Sequence, residues 1–599
     1  MESHLNTTYR THMVGDITSS LADSEVKLAG WVATRRDHGG LIFLDLRDKT
    51  GVVQLTCNPE LHKDAWKVAE TLRDEFVIVV SGVVRKRPSE MINKDLGELG
   101  LIEIEVNNIK VESMSDALPF VLGDETVNED MRLTYRFLDL RTAKMQNMLR
   151  IRAEFISEVR AFMQERGFTE VQTPILANSS PEGARDFLVP SRLHPGTFYA
   201  LPQAPQQYKQ LLMVGGLDKY FQIAPCFRDE DPRADRHAGD FYQIDVEMSF
   251  VEQEDVLKLG EDLMKHLSEF SGKKLKDEVF PRFTWREAMN KFGVDKPDIR
   301  YNFFITNISE IIKDSGFKVF SEVMKNNGVV HALRAEGAGK FSRGDIDGLT
   351  ELAKQHGLGG LAYVKIIDGK ADSPIAKFLG DEVIANIVSE TGAQEGDMIF
   401  FGAGEWLKVC KALGDVRKES AKMLGVLDAE SLQNQLAWCW VIDFPMYEKD
   451  AVTGEIDFSH NPFSMPQGGM KALESENPED ILGFQYDLVV NGYEISSGAI
   501  RNHDIATLYK AFEIAGYTKD ETTAKFGGMI RAFAFGAPPH GGFAPGIDRL
   551  LMVLMDVPSI RDIYAFPKNG RGQDMMMASP APVDPKLLID LHIKTDVEE

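Results

Sequence analysis

Between Phe227 and Glu247 the chain reads FRDEDPRADRHAGDFYQIDVE, three arginines and seven carboxylates in 21 residues. Guanidinium forks match phosphate oxygens in pairs, and neighbouring carboxylates can hold the forks in place. The loop arginines are Arg228, Arg233 and Arg236; the residues after them alternate. On a strand, Phe241, Gln243, Asp245 and Glu247 fall on one face and Tyr242, Ile244, Val246 and Met248 on the other. The second face predicts a core. The first offers a ring, an amide and two acids, a set suited to a purine stacked beside a cationic group.

A second stretch, YDLVVNGYEISSGAIR (486–501), turns at Asn491-Gly492, the strongest short hairpin signal. A two-residue turn sets Val489 across from Glu494 and Asp487 across from Ser496, with Asp487 and Glu494 on one face. Two carboxylates opposite phosphate-binding arginines point to Mg²⁺ held jointly by protein and nucleotide. In a third, PPHGGFAPGIDRLLMVL (538–554), glycine and proline precede an apolar helix whose start carries Arg549. No GxxxxGK[ST], HEXXH or GxSxG occurs, which excludes a P-loop and two hydrolase signatures.

These groups need a large scaffold, and 599 residues at 43% hydrophobic content supply several cores. The first ~115 residues read as five strands with an amphipathic helix between the third and fourth, the pattern of an OB-fold barrel. Trp31, Arg35, Arg36, Phe43 and Gln54 lie on its first three strands, a basic and aromatic set of the kind that cradles single-stranded bases. The net charge of −25 confines any nucleic-acid face to a local patch. Residues 148–168 predict a long amphipathic helix. The four cysteines, Cys57, Cys226, Cys410 and Cys439, form no CxxC pair, which fits a reduced, cytoplasmic setting. No run of ~18 apolar residues predicts a membrane span.

The three stretches, in this order, resemble the signature motifs of class II aminoacyl-tRNA synthetases. RGFTEVQTPIL (166–176) resembles motif 1, with Pro174 at a homodimer interface; FRDEDPRADR…DFYQIDVE resembles motif 2 and GFAPGIDRLLMVL motif 3. The order of OB-fold, catalytic core and large insertion is similar to that of bacterial-type aspartyl-tRNA synthetases. The expected fold is therefore multidomain α+β. An OB-fold anticodon-binding domain occupies 1–115 and a hinge 116–140. An antiparallel-sheet catalytic domain occupies 141–299 and 433–565. An α+β domain of the GAD type is inserted at 300–432, and a C-terminal extension follows at 566–599.

The resemblance implies ligation of L-aspartate to tRNA-Asp through an aspartyl-adenylate, with ATP as substrate and Mg²⁺ as cofactor. ATP contacts fall to Arg228, Asp229, Glu230, His237, Phe241, Glu494, Gly546, Ile547, Asp548 and Arg549, with Arg228 and Arg549 as the catalytic cations. Phe241 stacks the adenine, and Asp487 and Glu494 hold the metal. Glu182 closes over aspartate, and Gln206, Lys209, Arg228, Asp245, His460 and Arg501 shape its pocket. Two departures stand out. HAGD between Arg236 and Phe241 is one residue longer than the commonest spacing, which touches the assignment of His237. In SHNPFSMP, Asn461 stands where the family commonly has a second histidine.

At the anticodon face the resemblance implies contacts from Arg36, His38, Phe43, Gln54 and Met91. The block RRDHGG (35–40) resembles enzymes that accept both tRNA-Asp and tRNA-Asn, whereas leucine in place of His38 marks the strict ones; Met91 matches neither pattern. Imidazole can donate or accept by changing tautomer, so it tolerates both C and U. An asparaginyl- or lysyl-tRNA synthetase is the nearest alternative. A lysine pocket would not carry Lys209 and Arg501, and an asparagine pocket does not need two cations. A non-catalytic OB-fold nucleic-acid-binding paralogue would show a broken motif, and all three are intact.

Overall fold

The computed structural model describes residues 7–179, 184–231, 233, 239–313, 315–450 and 453–596. They fall into two compact units, Met1–Met148 and Leu149–Glu599. In the first, five strands close a barrel: β1 (Glu25–His38), β2 (Leu41–Asp48), β3 (Gly51–Cys57), β4 (Val77–Lys86) and β5 (Ile102–Ser113), in the order β1-β2-β3-β5-β4. Helix Lys63–Thr71 lies between β3 and β4 in sequence, as the OB pattern predicts. Burial alternates along β2, sending Ile42, Leu44 and Leu46 inward to meet Leu28, Leu55 and Ile104. Gly39 and Gly40, both at positive φ, make the β1–β2 turn, a conformation that costs glycine nothing. The connector beyond the barrel is not bare chain: it forms helices Glu129–Thr134 and Arg136–Asp139, where Arg132 and Arg136 both clasp Asp139.

The second unit is built on an eight-stranded sheet. Its strands are β6 (Thr169–Glu170), β7 (Lys219–Phe227), β8 (Asp240–Ser249), β9 (Arg282–Thr284), β10 (Trp438–Ile442), β11 (Gln485–Val490), β12 (Tyr493–Ile500) and β13 (His540–Phe543). The order is β9-β10-β11-β12-β13-β8-β7-β6, antiparallel except for the parallel pairs at the two ends. Helix Gln253–Ser271 covers one face; Gly260 there leaves room for the Trp440 ring, which a Cβ would meet at 2.9 Å. The other face carries the polar residues described below. The chain leaves this sheet after β9 and returns at β10. In between, strands Ile305–Asn307, Val329–Ala335, Met398–Gly404, Ala362–Ile367 and Lys370–Asp372 pair in that spatial order into a separate antiparallel sheet. Alternate residues of its central strands fill two cores, Leu333 and Phe400 on one side and Val330, Ala332 and Phe401 on the other. The predicted long helix is found at Ala143–Glu165. No described helix is long and apolar enough to cross a membrane, and no disulfide joins the four cysteines.

Candidate active site

Period-two alternation on β8 places Asp245 and Glu247 side by side, and both are fully buried. Two cations meet them. Lys209, from helix Gln206–Val214, donates to Asp245 Oδ1 at 2.7 Å and stands 3.4 Å from Glu247 Oε2. Arg501, just past β12, grips both oxygens of Glu247 through Nε (2.9 Å) and Nη2 (3.1 Å). The strand between β12 and β8 is β13, and at the crossing it presents Gly542; a Cβ there would overlap Glu247 Oε2. Glycine is thus what lets the two side chains join across an intervening strand. Charges cancel in this quartet, which is how four ionic groups tolerate burial. Burial pushes the Asp245 carboxyl above its usual range despite Lys209. Burial acts the same way on Glu247, but Arg501 and then Lys209 outweigh it and hold that carboxylate below its range. Asp245 Oδ2 and Gln206 Nε2 are buried without a hydrogen-bond partner among the described residues. Buried polar atoms are rarely left so, and these two mark where a polar ligand would be met.

The hairpin β11–β12 turns at Asn491 (φ 51°) and Gly492 (φ 85°) as predicted, but its register differs. Val489 does face Glu494; a bulge then inserts Ile495, so Asp487 lies across from Ser497 and not Ser496. One extra residue on β12 leaves Asp487 and Glu494 on the same face. Burial, then the neighbouring Glu494, raises the Asp487 carboxyl well above its usual range. Glu494 is held below its range: burial opposes the charge, but Lys296, His460 and Arg549 outweigh it. His460 Nε2 stands 3.8 Å from Asp487 Oδ1, and Lys296 Nζ 3.5 Å from Glu494 Oε2. Asp487 Oδ1 is buried and has no hydrogen-bond partner among the described residues, where no cluster of three or more side-chain ligands for a metal occurs. A divalent ion therefore fits the pair, provided that nucleotide and water oxygens complete its shell.

Arg228, at the end of β7, lies with its Cζ 5.1 Å from the centre of the Phe241 ring, and its Nε is buried without a hydrogen-bond partner among the described residues. Phe241 is 7% exposed, packed against Ala224 and Cys226 below that guanidinium. Asp229 is exposed and Glu230 half-buried at the start of the loop. Gly546 caps helix Ile547–Leu554 and bridges to Gln243, with Ile547 buried behind it. Arg549 donates to the carbonyl of Glu494 at 2.7 Å, which joins the third stretch to the carboxylate pair. Asp548 faces away: Arg152 Nη1 and the Tyr564 hydroxyl, each at 2.5 Å, and the Tyr242 amide at 3.2 Å occupy its carboxylate. That side chain secures the helix to β8. Glu182, Arg236 and His237 lie outside the described residues.

Glu247 was visible on the predicted polar face, yet nothing local marked it as the partner of Arg501. Lys296 and Asp295 precede Pro297 in a connecting segment without periodicity, and no sequence signal singles them out.

On the barrel, Arg36 pairs in register with Phe43, and His38 meets the Phe43 ring edge-on at 6.0 Å. Arg36 is bound to Asp45 at 2.8 Å and Gln54 to Glu103 at 2.9 Å, which orients both side chains. Met91 is 65% exposed on the segment between β4 and β5. Arg36 and His38 are exposed beside a half-buried Phe43, and Gln54 is half-buried on β3.

Comparison with known proteins identifies the family and the fold. Residues 128–570 match the family described as tRNA synthetases class II (D, K and N), and residues 26–112 match the OB-fold nucleic acid binding domain. The chain is 49% identical over 598 residues to an aspartate--tRNA(Asp/Asn) ligase of Prosthecochloris aestuarii, covering 100% of this chain and 97% of the other. It is 50% identical over 588 residues to an aspartate--tRNA ligase of Streptomyces avermitilis, covering 98% of each. Among solved structures it shares the fold of a putative aspartyl-tRNA synthetase from Leishmania major, with a TM-score of 0.58, 22% identity and 94% of each chain covered.

Proposed function

The chain belongs to the class II tRNA synthetases of the aspartate, lysine and asparagine group, and from that premise we propose that it ligates L-aspartate to tRNA at the expense of ATP. The observation that carries the amino-acid choice is the buried quartet. Aspartate brings one ammonium and two carboxylates; Asp245 accepts from the ammonium, while Lys209 and the third nitrogen of Arg501, Nη1, face the side-chain carboxylate. Lysine would meet two cations with its own, and asparagine would set an amide NH₂ against donors.

Chemistry then follows from position. An α-carboxylate oxygen of aspartate attacks the α-phosphorus of ATP, the bond to the bridging oxygen breaks, and pyrophosphate leaves. Arg228, at the open end of β7, stabilises charge on the reacting phosphate; Arg549 draws off the leaving phosphates. A terminal ribose hydroxyl of tRNA next attacks the aspartyl carbonyl carbon, loses its proton, and expels AMP. Neither step needs a protein nucleophile, so the rate rests on alignment and charge. Asp487 and Glu494 would hold Mg²⁺, whose contribution when bound is charge neutralisation on the phosphates. Glu182, His237, Glu230 and Asp229 complete the reading as loop contacts, and Gln206 and His460 as pocket walls.

We extend the reading to a homodimer across the segment of Pro174, where Ile175 and Leu176 stand exposed, and to a cytoplasmic setting, which the absence of disulfides among buried cysteines supports. The barrel patch with His38 is the proposed anticodon reader, open to tRNA-Asn as well as tRNA-Asp. The deciding experiment is ATP–pyrophosphate exchange with each amino acid in turn. Exchange with aspartate alone is expected, and equal exchange with asparagine would overturn the assignment.

A further inference from the structure

Between helix Trp285–Phe292 and the inserted domain runs the segment Gly293–Arg300, and it crosses the hairpin that bears Asp487 and Glu494. Gly492 at the hairpin turn lies against Asp298, whose Cβ a side chain there would meet at 3.3 Å. From this segment Lys296 reaches Glu494 at 3.5 Å and its own neighbour Asp295 at 3.9 Å, with its side chain 47% exposed.

The segment is held from behind by the inserted domain. Arg417, 2% exposed on helix Trp406–Met423, donates through Nη2 to the Asp298 carbonyl (2.7 Å), through Nε to the Phe303 carbonyl (2.6 Å) and through Nη1 to the Tyr301 hydroxyl (3.0 Å). Asp298 in turn is gripped by Arg300. Pro297 fixes its own φ between these anchors and Lys296. Lys296 is thus not a loosely placed surface lysine: its backbone is anchored two residues on, at Asp298, and its flexible stem is free to move.

We propose that Lys296 is a resident counter-cation of the Asp487–Glu494 pair, so that a divalent ion enters this site together with nucleotide phosphates and not before them. This rests on the reading of the pair as the metal site. Lys296 touches two acids, Glu494 at 3.5 Å and Asp295 at 3.9 Å. Asp487, on the same hairpin face as Glu494, is buried with an Oδ1 that makes no hydrogen bond among the described residues and has only His460 at 3.8 Å. An ammonium tethered there compensates the acids while no nucleotide is bound. It also repels a dication over a few ångströms, which even at water-like screening is worth about tenfold in affinity. When polyphosphate arrives, its negative charge offsets that repulsion and gives the mobile ammonium a second anion. The inserted domain, through Arg417, fixes the segment from which the lysine acts.

The test is Mn²⁺ binding to the full chain, followed by electron paramagnetic resonance, for wild type, Lys296→Met, Lys296→Arg and Glu494→Gln. Without nucleotide, Lys296→Met is expected to bind Mn²⁺ at least tenfold tighter than wild type, and Lys296→Arg to bind like wild type. With a non-hydrolysable ATP analogue the difference is expected to shrink. Pyrophosphate exchange by Lys296→Met should show a raised KM for ATP. Equal or weaker nucleotide-free Mn²⁺ binding by Lys296→Met overturns the proposal. If wild type binds no Mn²⁺ even with the ATP analogue, or Glu494→Gln binds it as wild type does, the underlying assignment of the metal site fails instead.

Discussion

Replacing Arg501 by lysine keeps the buried charge and removes the fork. Arg501 spends Nε and Nη2 on the two oxygens of Glu247, and Nη1 makes no hydrogen bond among the described residues. One ammonium cannot hold Glu247 by two parallel bonds and also reach a substrate carboxylate. At least one charge-assisted hydrogen bond is lost, about 1.5–3 kcal/mol. That corresponds to a fall of roughly 10- to 150-fold in kcat/KM for aspartate in pyrophosphate exchange. Discrimination against asparagine should fall with it, because the lost bond acts on the carboxylate alone. Folding should suffer less in Arg501→Lys than in Arg501→Leu. The leucine leaves Glu247 buried with only Lys209, 3.4 Å away, and removal of one partner of a buried pair costs about 3–5 kcal/mol. Near-normal kcat/KM for aspartate in folded Arg501→Lys would refute the assignment of Nη1 to the substrate side chain.

Two further outcomes are expected. His38→Leu should charge tRNA-Asn transcripts at least tenfold more slowly while tRNA-Asp charging is retained; a wild type that already rejects tRNA-Asn as strongly as the variant would sink the reading of His38. His331, fully buried in the inserted domain, has its pKa lowered by burial from 6.5 to about 4. As pH falls below 6.5 the unfolded chain takes up this proton and the folded one does not, so stability is full above 6.5 and declines until about 4. The two pKa values set the loss at about 3 kcal/mol. Hydrogen exchange in Val329–Ala335 and Met398–Gly404 should report that decline, and His331→Leu should flatten it; an unchanged slope would place the effect elsewhere.

The sequence by itself determined what depends on local period and turn chemistry. Alternation on Asp240–Ser249 put Asp245 and Glu247 on one face, Asn491-Gly492 fixed a hairpin, and five β-patterned runs with one helix specified the barrel. These rules act over a few residues, so they can be read from a few residues. The tertiary structure decided which charges meet. Arg501 binds Glu247 because β13 lies between their strands and offers Gly542 at the crossing, an order that no local pattern encodes. The bulge at Ile495 shifted Asp487 from Ser496 to Ser497, since a hairpin's register past its turn answers to packing as well as to turn length. Asp548 sits in the third motif, yet Arg152 and Tyr564 claim its carboxylate. Lys296 reaches Glu494 from a segment whose Asp298 carbonyl is held by Arg417, over a hundred residues on. Long-range pairing of buried charges is set by the whole fold, because each such charge must find a partner somewhere in it and the chain does not say where.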